Sequence, residues 1–119
     1  MSVNGKLLAL TVLDSTRTAT ITDTISTGDQ GAYTVKITWS NVVSISGFPL
    51  LRFVLPDGSI VDKDPDDGVI LDRNTVTYLL DKALYAAPGL LKMYVRFIDG
   101  VTKFTPLLVR FAGVRAVSG

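Results

Sequence analysis

Apolar and polar residues alternate with a period of two along most of this chain. Such a period fits a strand, whose successive side chains point to opposite faces, and does not fit a helix. Residues 32–40 are the clearest case: Tyr33, Val35, Ile37 and Trp39 fall on one face, and Thr34, Lys36 and Thr38 on the other. Leu51, Phe53 and Leu55 repeat the pattern around Arg52, and Val76, Tyr78 and Leu80 repeat it around Thr75 and Thr77. The longest run sets Leu91, Met93, Val95 and Phe97 against Lys92, Tyr94 and Arg96. A last run sets Leu107, Val109 and Phe111 against Leu108 and Arg110. The Thr-rich segment 18–22 and the apolar segment 7–13 read as further strands. Each strand has one buried and one wet face, with Trp39, Phe53, Tyr78 and Phe97 as the large members of the core.

Turn chemistry separates these runs. Pro56-Asp57-Gly58 presets φ at its first residue and accepts φ > 0 at its last. Asp99-Gly100 lies between two alternating runs and reads as a hairpin turn. Residues 27–31 and 65–68 read as loops, and residues 81–87 as a short helical turn capped by Asp81 and stopped by Pro88-Gly89. Pro106 lies within the run 104–111 and has no amide donor, so this run is expected to be an edge strand or to carry a bulge. With turn signals every ten residues or so, the expected fold is all-β. It is an antiparallel β-sandwich of Ig-like or jelly-roll-like type, with about seven to nine strands in a single domain, 1–119.

Composition narrows the function. At 47% hydrophobic and 19% charged the chain is too apolar for a disordered one. No apolar run approaches the ~20 residues that span a bilayer. The segment 7–13 is short, interrupted by Thr11 and followed by Asp14 and Arg17, so it is not a signal peptide. The absence of cysteine and histidine excludes thiol nucleophiles, zinc–thiolate centres and a Ser-His-Asp triad. Every acidic residue is Asp, which leaves general acid–base chemistry resting on Asp alone. A net charge of +1 gives no electrostatic case for nucleic acid.

The densest polar cluster is Asp62-Lys63-Asp64-Pro65-Asp66-Asp67-Gly68. The spacing of Asp62, Asp64 and Asp66 resembles the start of an EF-hand calcium loop. However, Asp67 stands where that loop needs Gly, and Arg73 where it needs the bidentate Glu. The cluster therefore reads as a solvated acidic loop, and neither a metal nor a cofactor is expected. Asp57, Asp72 and Asp81 are nominal candidates for paired-carboxylate hydrolysis, but no enzymatic activity is expected. Tyr33, Trp39, Phe53, Tyr78 and Phe97 could stack on sugars, yet they fall in register with core faces. Charge is uneven. Seven Asp against Lys63 and Arg73 occupy residues 57–81, whereas six basic residues against Asp99 follow from Lys82 onward. Two patches of opposite sign suit head-to-tail contact, unless strand pairing intermixes them.

Leu51-Arg52-Phe53-Val54-Leu55-Pro56-Asp57-Gly58, then Val76-Thr77-Tyr78-Leu79-Leu80, Ala87-Pro88-Gly89 and Lys92-Met93-Tyr94-Val95-Arg96-Phe97, form an ordered set. It comprises a strand ending in a Leu-Pro-Asp-Gly turn, a Val-x-Tyr-x-Leu strand, a Pro-Gly turn and a long aromatic strand. Over roughly residues 32–112 this set resembles the N-terminal domain of the baseplate upper protein family of tailed phages of Gram-positive bacteria. The resemblance implies a small β-sandwich that fastens the baseplate periphery to the tail core. Longer members continue into a helical linker and a trimeric distal part associated with receptor binding. Here residues 115–119 begin no heptad, so the expectation is a short member or a fragment, with an attachment role.

The expected function is thus a non-enzymatic structural module of a phage tail baseplate, located in the virion and assembled in the host cytoplasm. Its partners would be other tail proteins and further copies of itself, with no nucleic acid and no membrane. The alternative is a carbohydrate-binding or adhesin-like sandwich. A mean hydropathy of +0.36, high for a small chain, points to apolar surface reserved for partners. Two elements are candidates for the interface. One is the last strand, through Phe104, Leu108 and Arg110; the other is the acidic loop, through Asp62, Asp64 and Asp66.

Overall fold

A computed structural model of the chain describes residues 6–27, 33–98, 106–111 and 113–115. Phe104 and the Asp99-Gly100 turn lie outside the described residues. The strands are β1 (Lys6–Val12), β2 (Thr18–Ile21), β3 (Ile25–Ser26), β4 (Tyr33–Trp39), β5 (Phe48–Val54) and β6 (Ile60–Lys63). They continue with β7 (Ile70–Asp72), β8 (Thr75–Leu79), β9 (Lys92–Ile98), β10 (Leu107–Phe111) and β11 (Val114–Arg115). Two 3₁₀ turns, Pro65–Asp67 and Lys82–Tyr85, complete the described elements.

Alternation decides which side chains are buried. In β4, Tyr33, Val35, Ile37 and Trp39 are buried, while Lys36 is exposed. The same holds for Leu51 and Phe53 in β5, Val76 and Tyr78 in β8, Met93 and Val95 in β9, and Leu107, Val109 and Phe111 in β10. These strands form a four-stranded sheet, in the order β1-β4-β8-β7, and a five-stranded sheet, in the order β2-β10-β9-β5-β6. Aromatic pairs tie the two inner faces together. Trp39 of the first sheet meets Phe97 of the second edge-to-face at 5.3 Å between ring centroids, and Tyr78 meets Phe53 at 5.9 Å. Their inner residues join one apolar core, as in a β-sandwich.

The sheets are mixed rather than wholly antiparallel. β1 pairs parallel with β4, β2 with β10, and β3 with β11. Eleven strands are present among the described residues, more than the expected seven to nine. The additions are β3, β6, β7 and β11, each of two to four residues and too short to carry a clear period.

The expected edge position of the last strand is also corrected. β10 lies inside its sheet, between β2 and β9. Pro106 stands one residue before Leu107, so its missing donor falls outside the ladder, where proline is tolerated. The first amide needed beyond it is present: Leu108 N–H donates to the Arg17 carbonyl at 2.8 Å. The true edges are β2 and β6 in this sheet, and β1 and β7 in the other.

The predicted turns form as their chemistry requires. Gly58 N–H donates to the Leu55 carbonyl at 2.9 Å, Asp57 Oδ1 accepts from Ser59 N–H at 2.9 Å, and Gly58 adopts φ +89°. Asp81 caps the second 3₁₀ turn by accepting from Ala83 N–H at 3.2 Å.

Candidate partner-binding face

The candidate site is built from residues that alternate with the core on the five-stranded sheet. Strand register ranks them across the outer face. Thr18, Leu108, Tyr94, Arg52 and Asp62 form one transverse row from β2 to β6. Thr20, Arg110, Lys92, Val54 and Ile60 form the next. Arg96 lies opposite Leu50, and Ile98 opposite Phe48. Tyr94 and Leu108, both partly buried, make an apolar centre with cations on three sides.

One cation of this face is neutralised locally. Arg52 donates from Nε to Asp62 Oδ1 at 2.8 Å and from Nη2 to Asp62 Oδ2 at 3.0 Å. The hydrogen bond to Arg52 holds the Asp62 carboxyl below its ordinary range, against a smaller opposing effect of desolvation. The charges of Arg52 and then Arg96 act in the same direction. The same pair raises Arg52. Both side chains remain more than 40% exposed, so the pair adds little stability and mainly fixes geometry. Lys92, Arg96 and Arg110 make no ion pair among the described residues.

The acidic segment lies at the lateral edge of the sandwich, where the chain leaves β6 in one sheet and enters β7 in the other. Its carboxylates organise the backbone. Asp64 Oδ1 accepts from Asp66 N–H at 2.9 Å, and Asp67 Oδ2 accepts from Asp64 N–H at 3.0 Å, a reciprocal capping box. With Asp62 held by Arg52, these side chains do not converge as calcium ligands. No group of three His, Cys, Asp or Glu side chains is placed to hold a metal among the described residues. Lys63 pairs with Asp81 at 3.3 Å. Strand pairing therefore intermixes part of the charge, through Arg52–Asp62 and Lys63–Asp81. It leaves a basic sheet face and an acidic edge turn.

The structure brings together residues that looked like rival elements in the sequence. Leu108, Arg110 and Asp62 share the outer face, and Leu108 and Asp62 share a row about 14 Å across, three strand spacings. Asp64 and Asp66 are not on that face; they belong to the edge turn. Asp57, Asp72 and Asp81 stand on separate elements, in the 55–59 turn, at the end of β7 and at the second 3₁₀ turn. The aromatics considered for sugar stacking are in the core: Tyr33, Trp39, Phe53 and Tyr78 are buried, and Phe97 packs on Trp39.

Sequence reasoning missed Arg52, Lys92, Tyr94 and Arg96 as members of the face. Their alternation was visible, but only the register places them beside Leu108 and Arg110.

Two shallow depressions border the second row. One, of about 310 Å³, is lined by Thr20, Leu90, Leu91, Lys92, Arg110 and Phe111. The other, of about 250 Å³, is lined by Val54, Leu55, Pro56, Gly58, Leu90 and Lys92. Leu90, 65% exposed, belongs to both. The Leu-Pro-Asp-Gly turn and the residue after Pro88-Gly89 thus border the basic face. The four-stranded sheet also exposes apolar residues on its outer side: Leu7, Leu79 and Ile70, set among threonines. Lys36 is the cation within that sheet's paired outer rows, so that face lacks the concentrated charge.

Comparison with protein-family models and with curated protein sequences returned no match. Among the described residues, no helix is long and apolar enough to cross a membrane.

Proposed function

We propose that the chain is a non-enzymatic structural module of a phage tail baseplate, which fastens peripheral, receptor-binding parts to the tail core through protein–protein contacts. The observation that carries this reading is the outer face of the five-stranded sheet. It combines a partly buried Tyr94–Leu108 centre with arginines, the composition favoured in protein interfaces. Exposed Leu90 and the turn at residues 55–58 extend apolar surface from that face. The residues that carry the resemblance to the baseplate upper protein family supply much of this surface: Arg52, Val54, Pro56, Gly58, Lys92, Tyr94 and Arg96. In this reading the module acts in the virion, is assembled in the host cytoplasm and works in several copies beside other tail proteins.

Immunogold labelling of purified phage particles with antibody against the chain tests this function. Label at the distal end of the tail is the expected result. Particles that contain no trace of the chain by mass spectrometry would contradict it.

A further inference from the structure

We propose that the basic face of the five-stranded sheet docks the acidic edge turn of a second copy of this chain. This inference deepens the structural-module reading and rests on it. The face presents Lys92, Arg96 and Arg110, which make no ion pair among the described residues, around Tyr94 and Leu108. The turn presents Asp64, Asp66 and Asp67, which also make none. Asp66 is exposed, and its carboxylate makes no hydrogen bond among the described residues.

The two surfaces do not neutralise each other within one molecule. The turn follows β6 at the lateral edge, whereas Arg96 and Arg110 stand on β9 and β10, two and three strands inward. The nearer cations, Lys63 and Arg52, are already paired with Asp81 and Asp62. The remaining opposite charges therefore find each other between copies, through a head-to-tail contact that uses different patches on the two molecules.

The size of the face sets the strength. Five strands give a width of about 19 Å, and the run from Phe48 to Val54 a length of about 20 Å. The resulting area, roughly 400 Å², is about half of what each partner contributes to a standard interface. The contact is accordingly weak for one pair and effective when copies are held side by side in an assembly.

Sedimentation of the intact chain tests this. At about 0.01 M salt, wild-type protein should associate as concentration rises; at about 1 M, where the screening length is only ~3 Å, association should weaken at least tenfold. Two charge-reversed variants separate the surfaces. Arg96→Asp with Arg110→Asp removes the face, and Asp64→Lys with Asp66→Lys removes the turn. Each alone should remain monomeric with an unchanged circular dichroism spectrum. An equimolar mixture should associate again, because each variant keeps one surface that fits the other's. Should the double lysine variant unfold through loss of its cap, Asp66→Lys alone replaces it.

Wild-type protein that stays monomeric at low salt overturns the inference, as does a mixture that fails to associate. If the face instead binds a single-stranded oligonucleotide, with dependence on Arg96 and Arg110 and no self-association, it belongs to nucleic acid and the inference is wrong. Monomeric behaviour together with gold label at the tail tip would reject the self-contact alone. Self-association of a chain absent from the particles would reject the baseplate reading alone.

Discussion

Gly89 lies directly against Pro56: a Cβ added at Gly89 would stand 2.8 Å from the Pro56 Cβ. Gly89 also holds φ +128°, a conformation side chains rarely adopt, and exchanges two backbone hydrogen bonds of 2.9 Å with Val114. The Leu-Pro-Asp-Gly turn, the Pro-Gly turn and β11 therefore meet at one point. A proline ring is rigid and has no rotamer with which to yield. Gly89→Ala should destabilise the fold by about 2 kcal/mol or more, from strain and clash together. In a Pro56→Gly background the same change should cost less. Urea denaturation of the four proteins in this double-mutant cycle measures the difference.

Trp39 is 2% exposed and packs edge-on against Phe97 across the two sheets. Trp39→Ala should cost on the order of 3–5 kcal/mol, as for other large-to-small core changes. The native protein should fluoresce at short wavelength, with a red shift on unfolding. Native emission already typical of a solvated indole would show that the strand register is wrong.

Tyr33 and Tyr85 meet edge-to-face at 5.3 Å, but only one hydroxyl is used well. Tyr33 Oη accepts from Ser26 N–H at 3.0 Å, whereas the buried Tyr85 hydroxyl has no partner among the described residues. An unsatisfied buried hydroxyl costs about 1–3 kcal/mol. Tyr85→Phe should leave the melting temperature unchanged or raise it, and Tyr33→Phe should lower it. Calorimetry on both variants checks the contrast.

Three carboxylates lie below their ordinary range and make the fold sensitive to acid: Asp57, through hydrogen bonds from Ser59, and Asp62 and Asp81. The hydrogen bond from Arg52 lowers the Asp62 carboxyl, and those from Ala83 N–H and then Lys63 lower the Asp81 carboxyl. A group depressed in the folded state contributes stability above its unfolded value. That contribution is lost as pH falls through the folded one. Stability should therefore hold above about pH 5 and decline below roughly pH 3.9, the unfolded carboxylate value. Asp62→Asn combined with Asp81→Asn should make the decline shallower, in denaturation curves taken at successive pH values. Solvent exposure of both groups keeps the effect small.

The alternation in residues 33–39 and 92–98 was enough to locate strands and their buried faces, because burial imposes the period of two directly. It could not reveal Tyr85, a large core residue that lies in a 3₁₀ turn. Partner choice left no such mark. The parallel pairing of β1 with β4, and of β2 with the distant β10, depends on which inner faces must meet, and many pairings share the same local pattern. Pro106 misled for a definite reason: a proline just before a strand and one inside it look alike until the first paired residue is known. The face shows the same division. Lys92, Tyr94 and Arg96 alternate plainly, yet only the register sets Tyr94 between Leu108 and Arg52.

In the proposed function this outer face attaches the module to a tail. Incorporation of Leu108→Asp into particles is the decisive assay. Leu108 lies on the outer side of β10, between Thr18 and Tyr94, so the substitution should leave the isolated fold intact by circular dichroism. Wild-type protein supplied during assembly should co-sediment with tails, while folded Leu108→Asp should stay in the supernatant. Equal incorporation of both proteins, or of neither, would show that this face does not attach the module to a tail.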